Sequence, residues 1–175
     1  MDFPDALLYN PGMVGLAVMR LQPLHEGHKV LLETMLESCG TGIVGIGSVQ
    51  EARTERNPFT YEERVAMIRT LFPDESRLRV IALEDIGAPT KEAWAAYVLG
   101  RIAEADFPAP DRYFAGSEED GTWFASVLPV TVVDRAGIGR GISATEIRRR
   151  VGAKEGLEGL IPPEIADWLR RMEWA

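Results

Sequence analysis

Apolar residues recur in short runs, separated by longer segments with helical spacing, along most of the 175-residue chain. The run 14–19 is short enough for a buried strand and ends before Pro23. From Val30 onward the apolar positions follow a helical repeat, which predicts a helix over 28–38. The run 42–48 contains three glycines, and it predicts a second buried strand that another backbone or a ligand approaches closely.

The same alternation of strand and helix patterns continues towards the C-terminus. Thr60 and Glu63 form a capping box, which predicts a helix that ends near Leu71, before Pro73. The remaining predicted elements are a strand over 79–83, a helix over 91–105, a strand over 112–115, a helix over 118–127, a strand over 130–133 and helices over 144–151 and 163–172. Strands that alternate with helices favour a parallel sheet with right-handed crossovers.

The pattern therefore predicts a single α/β domain. We expect a Rossmann-like, doubly wound parallel sheet of about five strands, with helices on both faces. Residues 1–12 are predicted to be an N-terminal tail and residues 13–175 to form the domain, with a small helical C-terminal part over about 141–175. A domain of this length buries about 70% of the surface that its unfolded chain exposes.

The composition of the chain limits the classes of partner that it is expected to bind. The net charge of −8 disfavours non-specific attraction to nucleic acid or to an anionic membrane, so a small anionic ligand would need a local basic pocket. No apolar run approaches the roughly 20 residues of a membrane helix, and residues 1–13 carry no basic residue of the kind that secretory signals have. The single cysteine excludes an internal disulfide and fits a reducing compartment. We expect a cytoplasmic protein without nucleic-acid or membrane partners, and the candidate basic residues are Arg20, Arg53, Arg56 and Arg148.

The two histidines of the chain, His25 and His28, both fall where the first strand leads into the first helix. Free N–H groups at a helix start attract anions, and the carboxyl edge of a parallel sheet is where α/β folds bind ligands. Gly27 allows a phosphate to approach the backbone, while the two imidazoles and the guanidinium of Arg20 add donors. We interpret this junction as a phosphate-handling site.

Other interpretations of the two histidines are weaker but remain open. Both are compatible with ordinary, partly buried side chains. A structural zinc site usually needs four Cys or His ligands, and Cys39 is the only cysteine beside the two histidines. We therefore expect no metal held directly by protein side chains.

A second candidate anion site lies in residues 139–148, Gly-Arg-Gly-Ile-Ser-Ala-Thr-Glu-Ile-Arg. Ser143 and Glu146 are spaced as a capping box, and Thr145 adds a second hydroxyl near the helix start. Arg148 follows one turn later and can reach back along the same side. Ser143 alone is equally compatible with a plain helix cap. Two such helix starts in one small domain indicate that they bind a triphosphate together. The chain has no P-loop sequence.

These two segments resemble the signatures of the nucleotidylyltransferase superfamily. His25-Glu26-Gly27-His28 looks like its His-x-Gly-His motif, and residues 142–148 resemble its Ile-Ser-x-Thr-x-Ile-Arg motif. Within the superfamily the chain most resembles the archaeal-type nicotinamide mononucleotide (NMN) adenylyltransferases, through residues 19–28, Gly47-Ser48 and Asn57-Pro58-Phe59-Thr60. The resemblance spans about residues 13–170.

The resemblance implies that the protein transfers the adenylyl group of ATP to NMN, giving NAD and pyrophosphate by in-line attack on the α-phosphate. It also implies Mg²⁺ bound through the nucleotide phosphates and assembly as a homo-oligomer. By this resemblance the catalytic residues are His25, His28 and Arg148, the nucleotide-binding residues are Arg20, Gln22, Gly27, Gly116, Ser143 and Thr145, and the acceptor-binding residues are Arg56, Gly47, Ser48 and Trp94.

Three departures from the archaeal pattern keep the acceptor open. Lys91 stands where archaeal members have asparagine, Ala115-Gly116-Ser117 replaces their Ser-Gly-Asn, and the segment 85–94 is about two residues longer. One alternative is a related enzyme that uses phosphopantetheine, glycerol phosphate or flavin mononucleotide (FMN) as acceptor, with ATP or CTP as donor. A second is a nucleotide-binding domain without catalytic activity.

Overall fold

A computed structural model describes residues 8–133 and 142–174. Residues 1–7 of the predicted tail and residues 139–141 of the second candidate site lie outside the described residues. The elements, in chain order, are β1 Asn10–Met19, α1 Glu26–Ser38, β2 Cys39–Ile46, α2 Tyr61–Leu71, β3 Leu78–Ala82, α3 Lys91–Glu104, β4 Arg112–Ala115, α4 Glu118–Gly121, β5 Val130–Val132, α5 Ala144–Ala153 and α6 Pro163–Arg171.

The five strands form one parallel sheet in the order β3-β2-β1-β4-β5. Their carboxyl ends are aligned, because Met19 pairs with Ile46 and Ile46 pairs with Ala82. The chain runs outward in one direction from β1 to β3 and in the other direction from β4 to β5. The strand order therefore reverses between β1 and β4, which is the place where doubly wound sheets bind ligands.

Helices cover both faces of this sheet, as the strand pattern predicts. Leu16 and Ala17 are neighbours in β1, yet they belong to separate buried clusters because successive side chains of a strand point to opposite faces. The first cluster packs the sheet against α1, α2, α5 and α6, and the second packs it against α3. The doubly wound α/β prediction is confirmed. Among the described helices, none is long and apolar enough to cross a membrane.

The predicted helix over 118–127 is shorter in the structure, where α4 ends at Gly121. Beyond it, the N–H groups of Trp123 and Phe124 bond to the carbonyls of Asp120 and Gly121, which are only three residues back. This tighter turn places the ring of Phe124 against Tyr113, with 4.2 Å between ring centroids. Phe124 is thus buried from a tighter turn that follows the end of α4.

Candidate active site

The loop after β1 is fixed by a reciprocal side-chain contact of Gln22. The Gln22 amide nitrogen donates to the carbonyl of Phe59 at 3.0 Å, and the N–H of Phe59 donates to the Gln22 amide oxygen at 2.9 Å. Gln22 is 1% exposed, so its side chain serves the protein's own backbone. A direct contact of Gln22 with nucleotide stays a prediction, while its support of the loop is evident from these bonds.

Replacing Gln22 with alanine is expected to destabilise the fold by about 2–4 kcal/mol, because two buried backbone groups of Phe59 lose their partners. Urea denaturation of the two proteins measures the difference. Gln50→Ala is the control, since the Gln50 amide makes an exposed hydrogen bond to Asp85 and its loss should cost less than about 0.5 kcal/mol. Equal stability of Gln22→Ala and the parent protein would contradict the structural role.

At the start of α1, the two histidines are stacked with 3.7 Å between ring centroids. His25 is the N-cap, and its carbonyl accepts from the N–H groups of His28 at 2.9 Å and Lys29 at 3.1 Å. The backbone N–H of His25 donates to Nδ1 of His28 at 3.3 Å. Because Nδ1 accepts a hydrogen bond, neutral His28 carries its proton on Nε2. The imidazole can therefore offer an Nε2–H donor to a phosphate oxygen.

His28 and Gly27 line a cavity of about 220 Å³ at the point where the strand order reverses. Gly116, which follows β4, also lines this cavity. Its N–H donates to a carboxylate oxygen of Asp120 at 3.0 Å, and the other oxygen of Asp120 accepts from Tyr113 at 3.1 Å. Burial raises the pKa of Tyr113, so the phenol stays protonated and holds the Asp120 carboxylate. The structure thus brings together Gly27, His28 and Gly116.

A second cavity of about 400 Å³ adjoins the first and shares Asp120 with it. Three of the residues predicted to bind the acceptor line it, namely Gly47, Ser48 and Trp94, together with Arg20. The hydroxyl oxygen of Ser48 is buried and has no hydrogen-bond partner within the described part of the chain. A buried polar group without a partner of this kind is uncommon in folded proteins.

Sequence reasoning missed Trp123, which lines the same cavity. The ammonium of Lys91 lies 5.7 Å from the centre of the Trp123 ring and donates to the hydroxyl of Thr122 at 2.6 Å. Lys91, the residue that departs from the archaeal pattern, therefore bridges the start of α3 to the segment after α4. No sequence signal separates an indole that lines a cavity from one that fills a core.

At the start of α5, the hydroxyl of Ser143 accepts from the N–H of Glu146 at 3.1 Å, which confirms that Ser143 is a helix cap. The predicted capping box is only half present. The Glu146 carboxylate binds the guanidinium groups of Arg149 at 2.8 Å and Arg150 at 2.9 Å, and these contacts lower the pKa of Glu146 to about 2. Two arginines within one helical turn attract this carboxylate more strongly than one backbone N–H does.

Arg148 connects the two candidate sites. Its guanidinium donates to the carbonyl of Gln22 at 2.7 Å and to the hydroxyl of Thr145 at 3.2 Å. Arg148 and Gln22 are 126 residues apart in the sequence. Burial lowers the pKa of Arg148, and the positive charges of Arg56 and Arg20 lower it further. Three guanidinium groups thus repel one another beside the start of α1, and a bound anion would relieve that repulsion.

Arg56, Thr145 and Arg148 also line a third cavity, of about 630 Å³. Arg53, in contrast, does not join this cluster. Its guanidinium forms a two-point ion pair with the carboxylate of Glu63 at 2.6 and 2.8 Å, and that pairing raises the pKa of Arg53. Arg53 lines none of the three cavities described here, and Glu63 offsets its charge, so its contribution to a basic pocket stays a prediction.

Comparison with known proteins agrees with this geometry. The profile of the family described as Cytidylyltransferase-like matches residues 20–150. The nicotinamide-nucleotide adenylyltransferase of Thermococcus kodakarensis is 34% identical over 163 residues, which cover 91% of this chain and 83% of that protein. The enzyme of the same name from Pyrococcus furiosus is 36% identical over 165 residues, covering 90% and 83%.

Solved structures with this fold include a bifunctional NMN adenylyltransferase/ADP ribose pyrophosphatase from Francisella tularensis, complexed with AMP and a manganese ion. Its TM-score is 0.75 at 18% identity, over 94% of this chain and 50% of that chain. The NadR protein in complex with NAD and AMP-PNP has a TM-score of 0.60 at 20% identity, covering 82% and 43%. The chain spans about half the length of these structures, and at such identities they show the fold alone. The matches to the family profile and to the archaeal enzymes show more: the chain belongs to the Cytidylyltransferase-like family and, within it, to the nicotinamide-nucleotide adenylyltransferases.

Proposed function

We propose that this protein transfers the adenylyl group of ATP to NMN, giving NAD and pyrophosphate. The observation that carries the proposal is the contact of Arg148 with the carbonyl of Gln22, which joins the start of α5 to the loop that leads into α1. In this proposal, the two helix starts, each with donors for phosphate, bind one triphosphate between them. The similarity to archaeal nicotinamide-nucleotide adenylyltransferases supports the same activity.

In the proposed reaction, an oxygen of the NMN 5′-phosphate forms a bond to the α-phosphorus of ATP. The bond from that phosphorus to the oxygen bridging the β-phosphate breaks, and pyrophosphate leaves. The attacking group is already an anion, so the protein need not remove a proton. Catalysis then consists of positioning and of stabilising the charge that spreads over the phosphoryl oxygens.

Each end of the triphosphate has its own donors in this proposal. The Nε2–H of His28 donates to a non-bridging oxygen of the α-phosphate, and the backbone at Gly27 allows that oxygen to approach the helix start. Thr145 and Arg148 hold the β- and γ-phosphates in the third cavity. Arg56, which the resemblance assigns to the acceptor, lines this cavity instead, and in this proposal it also binds phosphate there. Because Arg148 also touches Gln22, the pyrophosphate end is tied to the loop that carries the catalytic end.

We further propose Mg²⁺ as the metal, bound through the nucleotide phosphates. Across residues 8–133 and 142–174, no group of three or more His, Cys, Asp or Glu side chains is arranged to hold a metal ion. Magnesium commonly keeps several waters and binds substrate phosphates with few protein ligands, so this donor set fits it. Its chemistry here is to offset the negative charge of the leaving pyrophosphate. The Francisella tularensis structure is complexed with AMP and a manganese ion, which supports a divalent metal.

The identity of the acceptor can be tested directly. Purified protein is incubated with ATP or CTP, Mg²⁺ and each candidate acceptor in turn, namely NMN, phosphopantetheine, glycerol phosphate and FMN, while pyrophosphate release is followed. We expect pyrophosphate and NAD with ATP plus NMN alone. Release with another acceptor would reassign the enzyme within its superfamily. No release in any mixture would favour a nucleotide-binding domain without catalytic activity.

Trp94→Ala is expected to raise the KM for NMN about 10- to 100-fold. The indole of Trp94 lines the 400 Å³ cavity, and stacking on a flat ring contributes about 1–3 kcal/mol, with a further cation–π attraction to the positive nicotinamide. Steady-state kinetics with each substrate varied in turn give the measurement. Trp94→Phe keeps an aromatic face and should recover most of the affinity. An unchanged KM for NMN, or an equal rise in the KM for ATP, would remove Trp94 from the acceptor site.

Assembly as a homo-oligomer and a cytoplasmic location stay predictions. Size-exclusion chromatography with light scattering measures the first, and a monomeric mass at micromolar concentration would contradict it.

A further inference from the structure

Arg64, in α2, is the only Asp, Glu, Lys or Arg side chain that is buried among the described residues, and it is 0% exposed. Its guanidinium donates to four backbone carbonyls and to no side chain that the structure describes. The acceptors are Thr60 at 3.2 Å, Arg20 at 3.1 Å, Gly47 at 2.7 Å and Ser48 at 3.4 Å. One planar group therefore joins the end of β1, the end of β2 and the start of α2.

Two of these contacts hold strained turns. Leu21 and Ser48 have φ angles of 55° and 53°, a left-handed conformation that residues other than glycine seldom adopt. Arg64 binds the carbonyl directly before Leu21 and the carbonyl directly before Ser48. Such a conformation persists only where surrounding contacts determine it strongly. The guanidinium of Arg64 supplies those contacts for both turns at once.

The charge of Arg64 also lacks a close counter-charge. No carboxylate of residues 8–133 or 142–174 is paired with it within 4.0 Å, and its four acceptors are neutral carbonyls. Burial lowers the pKa of Arg64, while Glu62, Tyr61 and Asp85 raise it from a distance. A buried cation normally needs a partner of opposite charge. The phosphates of a nucleotide at this edge of the sheet would supply one.

We propose that Arg64 is a positioning residue of the nucleotide site. It fixes the two turns that present Arg20 and Ser48, and its buried charge draws the substrate phosphates to the carboxyl edge of the sheet. The expected effect of Arg64 on kcat rests on the proposed function. Its expected effect on the affinity for ATP requires only that the protein binds ATP.

Two substitutions separate the two parts of this role. Arg64→Lys keeps the charge but loses the planar fork that reaches all three segments, and Arg64→Met removes the charge and keeps a long side chain. Arg69→Met is the matched control, because Arg69 lies on the same helix and also donates to backbone carbonyls, those of Glu75 and Leu78, which lie outside the cavities described above. For each variant we would measure circular dichroism, kcat and KM, and the rise in melting temperature on adding Mg²⁺ and ATP.

Arg64→Lys is expected to keep most of the ATP-induced rise in melting temperature, because it keeps the charge. Its kcat is expected to fall at least 10-fold, because the turns at Leu21 and Ser48 are held less firmly. Arg64→Met is expected to lose both, with the KM for ATP raised at least 10-fold. Arg69→Met should lower the melting temperature of the free protein and leave kcat and the ATP-induced rise unchanged.

Wild-type kcat and a wild-type ATP response in Arg64→Met would overturn the proposal. If Arg64→Met does not fold, Arg64→Lys decides the matter, and undiminished kcat in that variant overturns it equally. If the wild-type protein forms no NAD, the proposed function fails, yet the ATP-induced rise still compares the variants. An equal ATP-induced rise in the wild-type protein and in Arg64→Met would then refute the inference by itself. If Arg64→Met is unfolded, loss of that rise in Arg64→Lys, which keeps the charge, would refute it.

Discussion

His28→Ala is expected to lower kcat about 10²- to 10³-fold and to change the KM for ATP little. The backbone N–H of His25 donates to Nδ1 of His28, so neutral His28 carries its proton on Nε2, the atom that we propose donates to the α-phosphate. A preorganised donor of this kind acts mainly on the transition state, where charge on the phosphoryl oxygens increases. Single-turnover kinetics with ATP and NMN measure the chemical step directly.

The fold should survive this substitution, because the His28 side chain is only partly buried. Lys29→Ala is the matched control, since Lys29 is the next residue of α1 and only its backbone N–H contributes to the helix start. We expect the control to retain kcat within about two-fold. If kcat of His28→Ala stayed within the range of the control, the assignment of the α-phosphate donor would be wrong.

Arg148→Met is expected to lower kcat/KM for ATP about 10²- to 10³-fold. The substitution removes the contact between α5 and the carbonyl of Gln22, together with the charge that we propose binds the pyrophosphate end of ATP. Two or three charge-assisted hydrogen bonds, each worth about 1.5–3 kcal/mol, account for a loss of this size. The KM for ATP should rise much more than the KM for NMN, which initial-rate measurements distinguish.

Arg149→Met provides the control for Arg148. Arg149 is the next residue of α5, but its guanidinium is exposed and paired with the carboxylates of Glu146 and Glu155. It should change kcat/KM by less than about three-fold, because exposed ion pairs contribute little. Equal losses in the two variants would show that the effect comes from the charge of α5 as a whole and not from the position of Arg148.

The sequence was sufficient for much of the fold and for the composition of the candidate site. The periodicity of apolar residues predicts the alternation of strands and helices, and parallel strands place the loops after β1 and β2 at one edge. That edge is where Gly27, His28 and Ser48 are found. Their roles in binding and catalysis stay predictions, which the substitutions above test.

Other features had no signal in the sequence. Arg64 follows the capping box of an amphipathic helix, where an arginine normally faces solvent. Hydrogen bonds from a guanidinium to carbonyls that are distant in the sequence leave no pattern along the chain. The ion pair of Arg53 with Glu63 and the turn of Glu146 towards Arg149 were missed for a related reason. Which of several nearby groups a charged side chain binds depends on three-dimensional distances.

The contact between Arg148 and Gln22 has a consequence for how the protein matures. It closes a loop of 126 residues, so it forms only after the sheet and the C-terminal helices have come together. A nascent or partly folded chain would therefore lack the contact that, in the proposed reaction, ties the pyrophosphate end of ATP to the loop before α1. During refolding, enzymatic activity should therefore return later than helical content does. Activity would then report the last step of folding.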